Sequence, residues 1–214
     1  MITAICPTTA SRNRFIPRML HCFTQQTHAD RELLVVSEDM IDLPEHPLVR
    51  FVSCPAGLSL GEKRNYCCDH ARGELIVTWD SDDWYGPDYL SDLYLLMKKS
   101  RKLVGGYDSI FFLTEDGSQG WKYTVRVPGI MCGNTLAFTH AYWKHHPYPA
   151  ISLGEDSAVI HRALAENQTI TMPGNMMCVS LEHADNTWKR DHVGPYWETL
   201  DPAQVAQLSK LVFT

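Results

Sequence analysis

Asp80-Ser81-Asp82-Asp83 packs three carboxylates into four residues, directly behind the apolar run Leu75–Trp79. Two carboxylates spaced i, i+2 on an extended segment point to the same side. Three crowded negative charges repel one another unless a cation or solvent relieves them. Magnesium or manganese, which take hard oxygen ligands and leave room for phosphate oxygens, suit such a cluster. Asp is also favoured just before helices, but Gly86-Pro87 supplies a helix start of its own, so capping accounts for one Asp and not three.

A second acidic pair, Glu155-Asp156, opens the helical pattern Leu153–Glu166, where the helix dipole favours negative charge. Ser152 and Glu155 have the spacing of a capping box, as do Ser59 and Glu62, both within the tetrapeptide Ser-Leu-Gly-Glu. That use spends Glu155 and leaves Asp156 as the candidate general base. His183, in a polar loop with Asp185, Asn186 and Trp188, is a candidate metal or diphosphate contact; a satisfied surface histidine is the plainer alternative. Trp84, Trp188 and Trp197 suit stacking on a sugar or ordinary packing. Lys189, Arg190 and His192 suit a diphosphate-closing loop or a solvated basic patch.

These side chains need a scaffold, and the first half alternates strand and helix signals. Ile2–Cys6, Leu33–Ser37, Leu48–Ser53 and Leu75–Trp79 read as buried strands. Arg12–Gln26, Leu60–Ala71 and the stretch opened by Pro87 read as helices, the last with Leu90, Leu93, Tyr94 and Met97 inward. The alternation predicts an α/β fold, a single domain with a mostly parallel central sheet flanked by helices. After Gly105 the texture changes: Ser109–Thr114 and Lys122–Val127 flank Asp116-Gly117 as a small antiparallel excursion, and Asn134–Phe138 returns to the main sheet. A helix near His140, strands over Thr169–Met172 and Met177–Leu181, and a closing helix after Asp201-Pro202 complete the reading. A strand ending in the acidic cluster delivers it to the carboxyl edge of the sheet, where such folds bind ligands.

The order of the elements carries a resemblance. Ile5-Cys6-Pro7-Thr8 with Arg12, Leu34-Val35-Val36-Ser37-Glu38, Gly61 to Asn65, and Ala71-Arg72-Gly73-Glu74-Leu75-Ile76 leading into Asp80-Ser81-Asp82-Asp83 resemble the family 2 glycosyltransferases of the GT-A fold. Gly154-Glu155-Asp156 is similar to that family's Glu-Asp motif, and His183 with Asn186-Thr187 to its late His…Asn-Thr element. The resemblance implies a metal-dependent transferase with a DxD motif that uses manganese or magnesium and a nucleotide-sugar donor, a UDP-sugar by family habit. Pro7, Thr8, Arg12, Glu38, Arg64, Asp80 and Asp82 would hold the donor. Glu38 stands where the family usually has Asp. Asp82, Asp83 and His183 would hold the metal, and Asp156 would be the base of an inverting single displacement. Residues 1–105 would form the nucleotide-sugar-binding half and 106–214 the acceptor-side half of one domain. The acceptor is open: a saccharide, a lipid-linked sugar, a protein or a modified base.

Composition sets the outer bounds. The 214 residues, 44% hydrophobic and 21% charged, suffice for a buried core. A formal charge of -6 argues against a broad nucleic-acid surface. No apolar run is long enough for a transmembrane segment, and Met1-Ile2-Thr3 leads straight into a strand; we read the chain as cytoplasmic. The 7 cysteines have no C-x-x-C spacing and read as reduced, buried thiols; Cys132 with His140, His145 or His146 lacks zinc-ligand spacing. Gly57-Leu58-Ser59-Leu60-Gly61 matches a serine-hydrolase elbow, but Pro55 interrupts the approach and Ser59 is explained as a helix cap. A non-catalytic nucleotide-sugar-binding module is the other alternative.

Overall fold

Strand residues alternate between two hydrophobic layers, which fixes the sheet at the centre of the molecule. In Ile2–Pro7 (β1), Ala4 and Cys6 face one layer and Ile5 the other; in Arg31–Ser37 (β2), Leu33 and Val35 oppose Leu34 and Val36. A side-chain period of two with both faces apolar is what a strand covered by helices on each side requires. The computed structural model describes residues 1–174, 176–186 and 189–213.

Between β1 and β2, a 3-10 turn over Ala10–Phe15 precedes helix α1 (Ile16–Thr24). The single helix expected over Arg12–Gln26 is therefore two pieces, divided where Pro17 is admitted in the first turn of α1. Strand β3 (Val49–Ser53) leads to α2 (Leu60–His70), then β4 (Leu75–Thr78), the short β5 (Trp84–Tyr85), α3 (Tyr89–Ser100) and β6 (Val104–Tyr107). Pro87 was expected at the first helical position; instead α3 begins at Tyr89 after the N-cap residue Asp88. Strands β7 (Ser109–Thr114) and β8 (Gly120–Thr124) form the expected hairpin. After a 3-10 turn over Gly133–Thr135 come β9 (Ala137–Thr139), α4 (His140–His145), α5 (Glu155–Ala165), β10 (Thr169–Met172), β11 (Cys178–Glu182), β12 (Trp197–Thr199) and α6 (Pro202–Phe213).

The main sheet has seven strands in the order β10-β6-β9-β4-β1-β2-β3. All its pairings are parallel except the two made by β9. Helices α1 and α3 cover one face, burying Ile16, Met19, Phe23, Leu90 and Leu93; α2, α4 and α5 cover the other with Cys67, Cys68, Tyr142, Val159 and Ile160. The excursion of the second half is larger than expected: β12-β8-β7-β11-β5 make a second, mostly antiparallel sheet, with α6 packed on it through Val205, Leu208 and Val212. Gly105 lies inside β6, so both halves of the chain build the main sheet. All seven cysteines are free and buried.

Candidate active site

The carboxyl ends of β1, β2 and β4 meet at one edge of the main sheet. Beyond β4, Trp79 is fully buried and the chain turns sharply, with the Asp83 N–H donating to the Asp80 carbonyl at 3.4 Å. The Tyr85 hydroxyl accepts from the Asp80 N–H at 2.8 Å, tying the turn to β5. Ser81 is wholly buried and its hydroxyl meets that of Thr8, from the end of β1, at 3.0 Å.

The three carboxylates then diverge. Asp80, with 30% of its side chain exposed, lies 4.0 Å from the Arg64 guanidinium. Burial, reinforced by the Asp82 charge and only partly offset by Arg64, pushes its carboxyl up to about 6. Asp82 is held on both sides: Oδ1 accepts from Arg12 at 3.0 Å and Oδ2 meets His183 Nε2 at 2.8 Å. Burial works against its ionisation, but the His183 hydrogen bond and the Arg12 charge outweigh it, and its carboxyl sits below the usual range. Asp83 is enclosed by donors of the protein. Ser180 at 2.9 Å and the Leu181 N–H at 3.3 Å reach Oδ1, and Asn134 at 2.9 Å reaches Oδ2. Burial, then the charges of Asp82 and Asp80, push this carboxyl up to about 8.

His183 is a buried group and not a solvated surface histidine. None of its side chain is exposed, and its ring packs on Phe15 at 4.7 Å between centroids. Arg14 and Arg18 lie over that same phenyl ring, and Arg18 also reaches the Asp82 carbonyl at 3.4 Å. The nearby Thr187 and Trp188, expected in the covering loop, lie outside the described residues. Trp197 packs against Phe112, Tyr123 and His192. His192 stacks on Trp121 and, with Arg190, meets Glu182; these contacts fasten the segment to the second sheet.

On the β2 side, Pro7 and Thr8 pair with Val36, two residues before Glu38, whose oxygens accept from Lys63 and from the Gly57 N–H, both at 2.8 Å. The Lys63 hydrogen bond leads in holding the Glu38 carboxyl below the ordinary range. Lys63 carried no motif signal. Its place one turn inside α2 follows from the capping box at the helix start, where Ser59 and Glu62 bond reciprocally as expected.

The second capping box does not form. Helix α5 starts at Glu155 after Gly154, whose φ of 81° is left-handed and favours glycine, and no side chain caps it. Ser152 instead accepts from the Leu60 N–H at 3.2 Å, and the Ile151 carbonyl takes the Gly61 N–H at 2.9 Å, so the 151–152 loop closes the start of α2. Glu155 is then free to turn inward to Arg64, at 2.6 Å, with both side chains about 95% buried (5% and 4% exposed). Arg64, expected near the nucleotide, thus joins the Asp80 turn to the helix that carries Asp156. Asp156 itself is half-buried and accepts from the Ser157 N–H at 2.6 Å.

Carboxylate oxygens suit a magnesium or manganese ion. Asp82 and His183 are the carboxylate and the imidazole that could hold such an ion; here Oδ2 and Nε2 bond to each other at 2.8 Å and Arg12 takes Oδ1. Among the described residues no three His, Cys, Asp or Glu side chains surround one point. A cavity of about 560 Å³ lies elsewhere, between β8 and α6 against Trp121, Leu200 and Val205, and holds none of these carboxylates.

Comparison with known proteins bears on the family and the fold. The sequence model described as Glycosyl transferase family 2 matches residues 4–161. The chain belongs to that family. No curated protein sequence matches it. Among solved structures it is similar to S. aureus TarS 1-349 in complex with UDP-GlcNAc, with a TM-score of 0.66 and 14% identity, covering 99% of this chain and 65% of that one. It is also similar to mannosyltransferase PcManGT from Pyrobaculum calidifontis in complex with GDP-Man and Mn2+, with a TM-score of 0.63 and 17% identity, covering 84% and 56%. The family member therefore has the GT-A architecture expected from its sequence, over less than two thirds of the length of either structure. Among the described residues no helix is long and apolar enough to cross a membrane.

Proposed function

We propose that the protein transfers a sugar from a nucleoside diphosphate donor, a UDP-sugar, to an acceptor hydroxyl with inversion. The observation that carries the reading is Arg64, which bridges the Asp80 turn and Glu155 and so brings the neighbouring Asp156 to the donor edge. Pro7, Thr8 and Glu38, with Lys63, line the base and ribose side; Arg12 and Asp80 face the diphosphate and ribose. Asp82 and His183 would hold manganese or magnesium, while Asp83, with its oxygens satisfied, fixes β11 against the turn. Bound there, the metal supplies charge neutralisation to the departing diphosphate. Residues 1–105 are in this reading the donor half and 106–214 the acceptor half.

In the reaction the acceptor oxygen attacks the anomeric carbon as its proton passes to Asp156. The bond from that carbon to the β-phosphate oxygen breaks, its electron pair leaving with the nucleoside diphosphate. Donors preorganised at the diphosphate, Arg12 among them, stabilise the charge that develops there.

The test is a panel of nucleotide sugars, scored by thermal shift and by release of nucleoside diphosphate, with and without manganese. The expected result is one preferred donor whose binding and turnover need the metal. Asp156→Ala should abolish turnover while leaving metal-dependent nucleotide binding intact. A panel without donor preference or metal dependence refutes the transferase reading. Binding without turnover in the unaltered protein would instead make the chain a nucleotide-sugar-binding module.

A further inference from the structure

We propose that Gly133 is a positioning residue for the reaction: its missing side chain is the space in which the Asp156 carboxylate rests. The inference builds on Asp156 as the base. A Cβ placed on Gly133 would stand 1.6 Å from Asp156 Oδ2, 2.5 Å from Cγ and 3.1 Å from Cβ, and these are its three nearest atoms. Carbon and oxygen cannot approach so closely, so any side chain at position 133 must expel the carboxylate from where it lies.

The backbone gives no other reason for glycine there. Gly133 is absent from the residues with left-handed φ, so an L side chain suits its conformation. Nor can the turn retreat. The Cys132 N–H is bound to the Tyr107 carbonyl at 2.8 Å, the Thr135 hydroxyl joins the Cys132 carbonyl at 2.8 Å, and the Thr78 N–H donates to the Leu136 carbonyl at 2.9 Å. Helix α5 cannot retreat either, because Glu155 is anchored on Arg64. What remains movable is the Asp156 carboxylate, which must rotate away from Gly133.

The same turn reaches the acidic cluster. Next to Gly133, Asn134 donates to Asp83 Oδ2 at 2.9 Å. One three-residue turn therefore touches the base on one side and the metal-proximal turn on the other, and sets the gap in which a donor and an acceptor hydroxyl have to meet. Positioning of this kind shows in the chemical step: a displacement near 1 Å lowers the rate on the order of 100-fold without weakening binding.

The experiment compares Gly133→Ala, Asp156→Ala and the double variant, using thermal melts, UDP binding with manganese, and steady-state kinetics. Gly133→Ala is expected to bind UDP as the unaltered protein does, to keep KM for the donor and to lose about 100-fold in kcat. In the Asp156→Ala background the carboxylate is gone and only the 3.1 Å contact with the retained Cβ stays, so adding Gly133→Ala should lower the melting temperature far less than it does in the unaltered protein and should leave residual turnover unchanged. If Asp156→Ala is inactive but Gly133→Ala keeps full kcat, the positioning role is overturned and the base assignment stands. If Asp156→Ala turns over normally, the base assignment itself is overturned. Should Gly133→Ala prevent folding, the double variant decides: recovery of a cooperative melt supports the steric conflict with the Asp156 carboxylate, and equal loss overturns it.

Discussion

Glu155→Gln would leave the Arg64 guanidinium buried beside a neutral amide, and the cost follows from its surroundings. The side chains of Arg64 and Glu155 are 5% and 4% exposed, so neither charge is rescued by water. The pair is joined at 2.6 Å, whereas the other carboxylate, Asp80, is 4.0 Å away. Removing one partner of a buried ion pair costs about 3–5 kcal/mol; with Asp80 retained, the lower end applies. At roughly 2–4 °C per kcal/mol for a domain of this size, about 3 kcal/mol becomes a fall of roughly 6–12 °C in melting temperature. Calorimetry on Glu155→Gln, Arg64→Met and the double variant Arg64→Met/Glu155→Leu separates the pair from its parts. Replacing both ends by apolar side chains removes both desolvation penalties, so the double variant should recover most of the loss. A Glu155→Gln melt within a degree of the unaltered protein would refute the argument, as would a double variant worse than the two single losses combined.

The acidic turn makes stability depend on pH. Asp83 is pushed up to about 8 and Asp80 to about 6, chiefly by burial, both above the ordinary carboxylate value near 4. Without metal, the folded chain holds protons there that the unfolded chain has released, so stability should fall as pH rises from about 4 to about 8. The urea midpoint should thus be higher at pH 5.5 than at pH 8.5, and Asp83→Asn should flatten the difference; a flat profile in the unaltered protein would contradict the burial argument. Ser59→Ala removes the acceptor for the Glu62 N–H and half of the capping box, and should cost about 1 kcal/mol, seen as a small drop in the urea midpoint at unchanged m.

Period and punctuation made much of the scaffold legible. Fully apolar runs such as Leu33–Val36, short and bounded by helical patterns, have few solutions other than central parallel strands, and the sheet places them there. The carboxylate cluster was legible for a similar reason: a strand must stop somewhere, and Asp80 follows immediately on a buried strand and Trp79. The second sheet was less legible. Strands β5 and β12 have two and three residues, too short to show a period, and they exist because β11 and β8 offer them backbone partners.

The second Ser-Leu-Gly-Glu shows why local grammar stops short of the site. Its residues satisfy the same rule as the first, and at Ser59 the rule holds because nothing stronger competes for Glu62, whose bonds are to Ser59. At Glu155 a stronger claim exists: a guanidinium contributed 91 residues earlier, buried where an unpaired charge is prohibitive. The capping bond, worth about 1 kcal/mol, loses to the ion pair, and Gly154 takes over the turn with a left-handed φ that no other residue type adopts as readily. Ser152, released from its own helix, closes the start of α2, the helix that carries Arg64. The departure from the capping rule is thus what ties the acid-bearing turn to the helix of Asp156, and no inspection of residues 152–156 alone contains Arg64.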